Sequence, residues 1–167
     1  SKGILAQSEI NPSDAESIAY AKGMNKAELR KKFGISSGNT MQITMMSRLV
    51  YEKGIDGVIK AADAINKMDG INFLIVGEAS DEGARQVIEK FKDGNVKGRP
   101  YFANDVERYL VLAGSDAILS PSQSEPFGLV LVEGMKYGTV PITTHAGGPK
   151  DTVQKFDGLN GYGFILQ

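Results

Sequence analysis

Two glutamates flank a Pro-Phe-Gly turn and an apolar run in residues 124–135, SEPFGLVLVEGM. Glu125 precedes the turn, and Glu133 follows with seven residues between them. If a helix begins near Gly128, a rise of about 1.5 Å per residue places the two carboxylates roughly 10–12 Å apart. The paired carboxyl groups of glycoside hydrolases lie only about 5–9.5 Å apart. The two glutamates are therefore not expected to form the acid/base pair of a hydrolase.

The same spacing suits an extended polar ligand that is held at both ends across a helix N-terminus. A carboxylate accepts hydrogen bonds from neighbouring hydroxyl groups, and the first N–H groups of a helix bind anions. A nucleotide-sugar has hydroxyl groups at both ends and a diphosphate between them. The alternative is that Glu133 is an exposed helix residue and Glu125 is a charge in a turn, and the spacing alone leaves both interpretations open.

Two cations lie in residues 47–54, SRLVYEKG, directly after a short apolar run that is typical of a strand. Arg48 and Lys53 precede a predicted helix, and cations beside a helix N-terminus suit an anion such as a diphosphate. The alternative is that both are solvated surface charges that pair with Glu52 or Asp56.

Further candidates follow other predicted strands. Gly147 and Gly148 lie in a glycine-rich turn, which would allow close backbone approach to a ligand or would serve only as a tight turn. His145 precedes them, and a lone histidine is more often structural. Tyr101 and Phe102 end a predicted strand, where they would stack on a base or pack in the core.

Apolar patterning predicts that strands and helices alternate along the chain. We expect residues 1–24 to be an irregular lead-in with Gly23 as a helix breaker, followed by a short helix capped by Asn25 and ended at Gly34. The predicted strands are 42–46, 71–77, 96–102, 116–121, 139–144 and 161–166, and the later helices are 54–68, 79–92, 105–113, one that contains Glu133, and 147–156.

This alternation indicates right-handed βαβ units, hence an α/β fold with a parallel sheet in a three-layer α/β/α arrangement. Ligands of such sheets bind at the carboxyl ends of the strands. The candidate residues named above end or follow predicted strands, so we expect them at one edge of the sheet.

Composition limits the classes of function. The chain has 167 residues, with 19 Lys and Arg against 20 Asp and Glu, so the net charge of −1 favours neither a nucleic acid nor an anionic membrane as partner. The absence of cysteine and the single histidine exclude disulfides, Cys-based zinc sites and a His-rich metal cluster. No apolar run approaches the ~20 residues of a membrane span. The sequence contains neither G-x-G-x-x-G nor Asp-x-Asp, so we expect neither a dinucleotide-dependent dehydrogenase nor a metal–diphosphate site.

Several motifs, in the same order, resemble the C-terminal half of GT-B-fold retaining glycosyltransferases, above all glycogen and starch synthases and the related group-1 enzymes. The motifs are SRLVYEKGID, AGSDAILSPSQSEPFGLVLVEGMKYGTVPI, and AGGPKDTV with GYGF behind it. The likeness runs from about residue 25 to residue 167 and includes a Glu-x7-Glu signature. It implies a Rossmann-like nucleotide-sugar-binding domain over 25–167, truncated at its C-terminus, with the acceptor-binding N-terminal domain absent.

The resemblance also implies roles for individual residues. Arg48 and Lys53 would neutralise the diphosphate and stabilise it as the leaving group, and Glu125 would bind the hydroxyls of the donor glucose. Glu133 would hold the ribose, and no metal is expected. Further donor-binding positions implied by the family are Phe127, Gly128, Leu129, Val130, Gly147 and Gly148, with Phe102 near the place of the base.

The implied reaction transfers glucose from ADP- or UDP-glucose to an α-1,4-glucan with retention of configuration. It would take place in the cytoplasm, or in a plastid if the chain comes from a plant or alga. Because the missing N-terminal domain would bind the glucan, the chain alone is expected to be inactive. The alternatives are another group-1 transferase that acts on a lipid-linked sugar, sucrose or trehalose, and a non-catalytic nucleotide-sugar-binding module.

Overall fold

The computed structural model describes residues 14–79, 82–89, 91, 93–100 and 104–166. Strands and helices alternate along these ranges, as the apolar patterning predicts. The helices are α1 (Ala15–Phe33), α2 (Ile55–Ile65), α3 (Glu82–Glu89), α4 (Asp105–Gly114), α5 (Leu129–Lys136) and α6 (Pro149–Thr152). The strands are β1 (Met41–Met46), β2 (Ile71–Val76), β3 (Val96–Arg99), β4 (Ala117–Ser120), β5 (Val140–Thr144) and β6 (Phe164–Leu166).

All six strands pair in parallel, in the order β3-β2-β1-β4-β5-β6. The chain builds the sheet outward from β1 to β3 and then returns to place β4 on the other side of β1. The strand order therefore reverses between β1 and β4, which is where open parallel sheets form a ligand crevice. The predicted α/β parallel sheet is confirmed.

Both faces of the sheet are covered by helices. On β2, Phe73 and Ile75 pack on the side of α2 and α3, whereas Leu74 and Val76 pack on the side of α1, α4 and α5. These four side chains are at most 3% exposed. The strand has no polar alternation because neither of its faces meets water.

The structure corrects the prediction for the start of the domain. Residues 15–24, predicted to be irregular, form the first half of α1, and Gly23 does not break the helix. The cap is Asp14, whose side chain accepts from the N–H of Glu16 at 3.0 Å, and not Asn25, which is buried inside the helix. The predicted end is confirmed, because Gly34 closes α1 in the left-handed region at φ 64°.

Close packing holds α1 against α4. A Cβ at Gly114 of α4 would lie 2.7 Å from the carbonyl oxygen of Asn25 and 2.8 Å from the Cβ of Leu29. Only a glycine allows the two helices to approach this closely. The first helix is therefore part of the core layer, and it joins the domain that was predicted to begin at residue 25.

Several further elements are shorter than predicted, among them β6, which forms only the second half of the strand expected over 161–166. The helix expected over 147–156 is α6, a single turn, and the strand expected over 96–102 is described as β3. Tyr101 and Phe102 lie outside the described residues. Among the helices that the structure describes, none has the length and apolarity to cross a lipid bilayer.

Candidate functional site

A cleft of about 530 Å³ lies at the carboxyl ends of β1 and β4, where the strand order reverses. Six of the predicted site residues line it: Arg48, Lys53, Glu125, Phe127, Leu129 and Val130. Met46, Ser47, Pro126 and Arg108 complete the described lining. The topology thus brings together residues that are more than 70 positions apart in the sequence, as expected for strand ends that meet at one edge.

The loop after β1 is fixed in place by backbone contacts. The N–H of Leu49 donates to the carbonyl of Glu78 at 2.7 Å, and the N–H of Gln123 donates to the carbonyl of Glu52 at 2.9 Å. Gly54 ends the loop at φ 77°, and a Cβ there would lie 2.2 Å from the carbonyl oxygen of Pro121. The loops that follow β1 and β4 are therefore in direct contact.

This contact places Lys53 beside Glu125. The Lys53 Nζ lies 2.7 Å from the Glu125 Oε2, and each side chain is 16% exposed. Lys53 is therefore not a solvated charge paired with Glu52 or Asp56. The second Glu125 oxygen, Oε1, accepts from the N–H of Gly128 at 3.1 Å, at the start of α5.

These contacts determine the charge of Glu125. Burial raises the pKa of its carboxyl group, but the hydrogen bonds from Lys53 and from the backbone N–H groups of Gly128 and Phe127 more than offset burial and hold the pKa below its usual value. Glu125 is consequently ionised at neutral pH. Its position also favours the charge, because the N-terminus of a helix is electropositive.

Helix α5 begins at this wall of the cleft. Gly128 precedes it in the left-handed region at φ 80° and is buried. Leu129 and Val130 follow and line the cleft, and the side chains of Leu129 and Phe127 are more than half exposed. The first N–H groups of a helix have no partner inside it, so this end of α5 can donate to an anion in the cleft.

Gly147 and Gly148 support the turn that carries Glu125. A Cβ at Gly147, where φ is 62°, would lie 2.0 Å from the Glu125 carbonyl oxygen, and a Cβ at Gly148 would lie 2.4 Å from that of Pro126. The N–H of Gly148 donates to the Glu125 carbonyl at 2.9 Å. The two glycines press against the back of the turn and do not belong to the described lining of the cleft.

Glu133 lies inside α5, as predicted, but its partner was not foreseen. Its Oε2 accepts a hydrogen bond from the Arg108 Nη2 of α4, and each side chain is 31% exposed. Arg108 lines the cleft, whereas Glu133 is absent from the described lining. Arg108 could have been found from its position, since it lies in the first turn of the helix that follows β3, at the ligand edge.

The remaining candidates contribute less to the cleft. His145 is exposed just after β5 and is not part of the described lining. In the part of the chain that the structure describes, no three His, Asp or Glu side chains are grouped closely enough to hold a metal ion.

Comparisons with known proteins agree with this architecture. Residues 25–165 match the family described as Glycosyl transferases group 1. The glycogen synthase of Haemophilus influenzae is 35% identical over 136 residues, which is 79% of this chain and 28% of that enzyme. The chain thus spans less than a third of the length of this relative.

Two solved structures are similar as well. The catalytic domain of starch synthase IV from Arabidopsis thaliana, bound to ADP and acarbose, superposes with a TM-score of 0.75 at 26% identity, over 87% of this chain and 32% of that one. Anabaena HepE in complex with UDP-glucose gives a TM-score of 0.66 at 26% identity, over 86% and 38% of the two chains.

Proposed function

This chain belongs to the group 1 glycosyl transferases, and from that premise we propose that its cleft binds the nucleotide-sugar donor of a glucosyl transfer. The observation that carries the proposal is the convergence of Arg48, Lys53, Glu125 and the start of α5 in one cleft at the reversal of strand order. The similar structures bound to ADP and to UDP-glucose support a nucleotide-sugar as the ligand.

The charges of the cleft suit the parts of such a ligand. Arg48 and Lys53 bind the diphosphate together with the first N–H groups of α5. Glu125 accepts from the hydroxyls of the glucose. Lys53 donates to Glu125, so an incoming diphosphate competes with this carboxylate for the ammonium group.

Transfer breaks the bond between the anomeric carbon and the diphosphate oxygen, and negative charge grows on the departing nucleotide. Cations and helix N–H groups that are already in place stabilise this charge without reorganising. A bond forms between the anomeric carbon and a hydroxyl oxygen of the acceptor, on the same face of the sugar, and the hydroxyl proton leaves with the diphosphate. No metal ion is required by this scheme.

The whole protein is proposed to be a glycogen or starch synthase that extends an α-1,4-glucan. The glycogen synthases among its relatives support this assignment. We assign the domain described above, with α1 included, to donor binding and the glucan to a separate domain, because the chain covers only 28% of the Haemophilus enzyme.

Calorimetric titration of the 167-residue chain with ADP-glucose, UDP-glucose and NAD tests the donor site. We expect one sugar nucleotide to bind and NAD to bind far more weakly. Lys53→Met should lower the affinity for the sugar nucleotide about tenfold or more, because a charge-assisted contact is lost. Lys60→Met is the matched control, since Lys60 pairs with Asp56 on the exposed face of α2. Equal binding of NAD, or no binding of either sugar at millimolar concentration, would contradict the proposal.

A further inference from the structure

Arg108 is a third cation on the wall of the cleft, in addition to Arg48 and Lys53. It belongs to α4, the helix between β3 and β4. None of the motifs that resemble the glycosyltransferases contains it. The resemblance therefore assigns no role to Arg108, although it lies beside the proposed donor site.

The guanidinium of Arg108 is held in position by its neighbours. Its Nη2 donates to the Glu133 Oε2, and its central carbon lies 5.5 Å from the centre of the Tyr109 ring. Tyr109 in turn lies 6.4 Å from the ring of Tyr137, the residue that directly follows α5. A carboxylate and an aromatic ring thus orient the guanidinium from α4 and α5.

Charge balance shows what Arg108 adds. Arg48, Lys53 and Arg108 carry three positive charges, and Glu125 and Glu133 carry two negative ones, so this set has a net charge of +1. Without Arg108 the set would be neutral. Arg108 is therefore one of the three cations on which the excess positive charge of this set, which would attract an anion to the cleft, depends.

We propose that Arg108 binds the diphosphate of the nucleotide, with its guanidinium held in position by the contact to Glu133. The inference rests on the proposed donor function and adds a residue to it. A guanidinium is a planar fork with several N–H donors, and Glu133 is its only hydrogen-bond acceptor among the described residues. Its remaining donors can pair with phosphate oxygens while the contact to Glu133 persists.

Titration of the chain with ADP and UDP, with inorganic pyrophosphate as a competitor, tests this role. We expect Arg108→Gln to lower the affinity for whichever nucleotide binds by about tenfold or more, which is the scale of a lost charge-assisted hydrogen bond. The affinity for pyrophosphate should fall by a similar factor. Arg108→Lys keeps the positive charge but loses the planar fork of N–H donors. Its affinities should therefore lie between those of the wild type and those of Arg108→Gln. Arg85→Gln is the matched control, because Arg85 pairs with Glu82 on α3, outside the described lining.

The outcomes separate the two proposals. If the wild-type chain binds neither nucleotide, the donor function fails and this inference fails with it. If the wild type binds but Arg108→Gln leaves the affinity for pyrophosphate unchanged, the donor function stands and the role of Arg108 is wrong, even if ADP or UDP binds more weakly. Thermal melting of each variant identifies misfolding, in which case Arg108→Lys decides by the same pyrophosphate comparison.

Discussion

At the scale of single residues, the state of Glu125 depends on Lys53. Burial would favour the protonated carboxyl group, and the ammonium of Lys53 with the N–H groups at the start of α5 reverses that preference. Both side chains are only 16% exposed, so water screens the pair less than it screens a surface ion pair. The ionised carboxylate that the proposed donor site requires is thus a property of the pair.

Removing the lysine should therefore raise the pKa of Glu125. We expect Lys53→Met to shift the titration of Glu125 to higher pH, as followed by the carbon chemical shift of its carboxyl group in an NMR titration. Since the folded-state pKa is depressed in the wild type, the stabilisation by this group is present above the unfolded-state pKa and is lost as the pH falls through the folded-state pKa. The variant should lose stability at higher pH than the wild type, and an unchanged pKa would contradict the assigned cause.

Gly147 should be sensitive for a reason that goes beyond its dihedral angle. An alanine in the left-handed region costs about 1–2 kcal/mol, and at Gly147 its Cβ would also meet the Glu125 carbonyl oxygen at 2.0 Å. We expect Gly147→Ala to lower the free energy of unfolding by more than that amount and to weaken nucleotide binding. Chemical denaturation and titration of the same samples measure both effects.

Gly34→Ala is the control for this substitution. Gly34 has nearly the same φ, 64°, but no atom lies within 4 Å of a Cβ placed there. It should show the cost of the dihedral angle alone and leave nucleotide binding intact. Equal losses of stability in the two variants would show that the contact with Glu125 is unimportant.

The sequence predicted six of the residues that meet in the cleft, because they follow strands that end at one edge. It did not predict how their charges pair. Glu52 and Asp56 are the acidic neighbours of Lys53 in the sequence, yet Lys53 pairs with Glu125, 72 positions away. Glu133 of α5 likewise pairs with Arg108 of α4. In both cases tertiary packing determines which carboxylate lies nearest to the cation.

At the scale of elements, the first half of α1 was predicted to be irregular because its sequence gives little sign of a helix. Its sequence has little helical periodicity, and over the nineteen residues of the helix only Ala21 and Leu29 are buried apolar side chains. Contacts far along the chain define it instead. Lys22 donates to Thr139 Oγ1 at 2.6 Å and to the carbonyl of Tyr137 at 3.2 Å, which ties α1 to the segment before β5.

The tie through Lys22 should depend on pH. Burial lowers the pKa of Lys22 from 10.5 to about 8, against the attraction of Asp116. Between these two values the unfolded chain binds more protons than the folded one, so stability rises with pH in that window. We expect the unfolding free energy of the wild type minus that of Lys22→Met to increase from pH 8 to pH 10.5, and to become constant once the pH is more than about one unit below 8. Denaturant titrations at each pH measure the difference, and a flat difference would contradict the lowered pKa.

At the scale of the whole molecule, alternation of strands and helices predicted a parallel sheet but not its strand order. That order places β1 beside β4, with registers such as Thr44 against Ile118, although these strands are separated by two complete βα units. The pairing brings Arg48 and Lys53 to the same cleft as Glu125. Strand order depends on long-range packing, which local patterns in a single sequence do not specify.

The rim of the cleft leads to a prediction about turnover. Tyr51, Phe127 and Leu129 are 63%, 51% and 64% exposed at the ligand edge, where large apolar side chains often mark contact with a further surface. The chain also spans only 28% of the Haemophilus glycogen synthase. Donor binding by this chain and transfer to a glucan should therefore be separable.

We expect the 167-residue chain to bind its sugar nucleotide without moving glucose onto a glucan. The assay supplies ADP-glucose or UDP-glucose labelled in the sugar, together with glycogen, and measures label in the precipitated polysaccharide. The Haemophilus influenzae glycogen synthase serves as the positive control in the same mixture. Label that enters glycogen with this chain alone, and disappears with Lys53→Met, would show that these residues suffice for acceptor binding as well, and would overturn the assignment of the glucan to a separate domain.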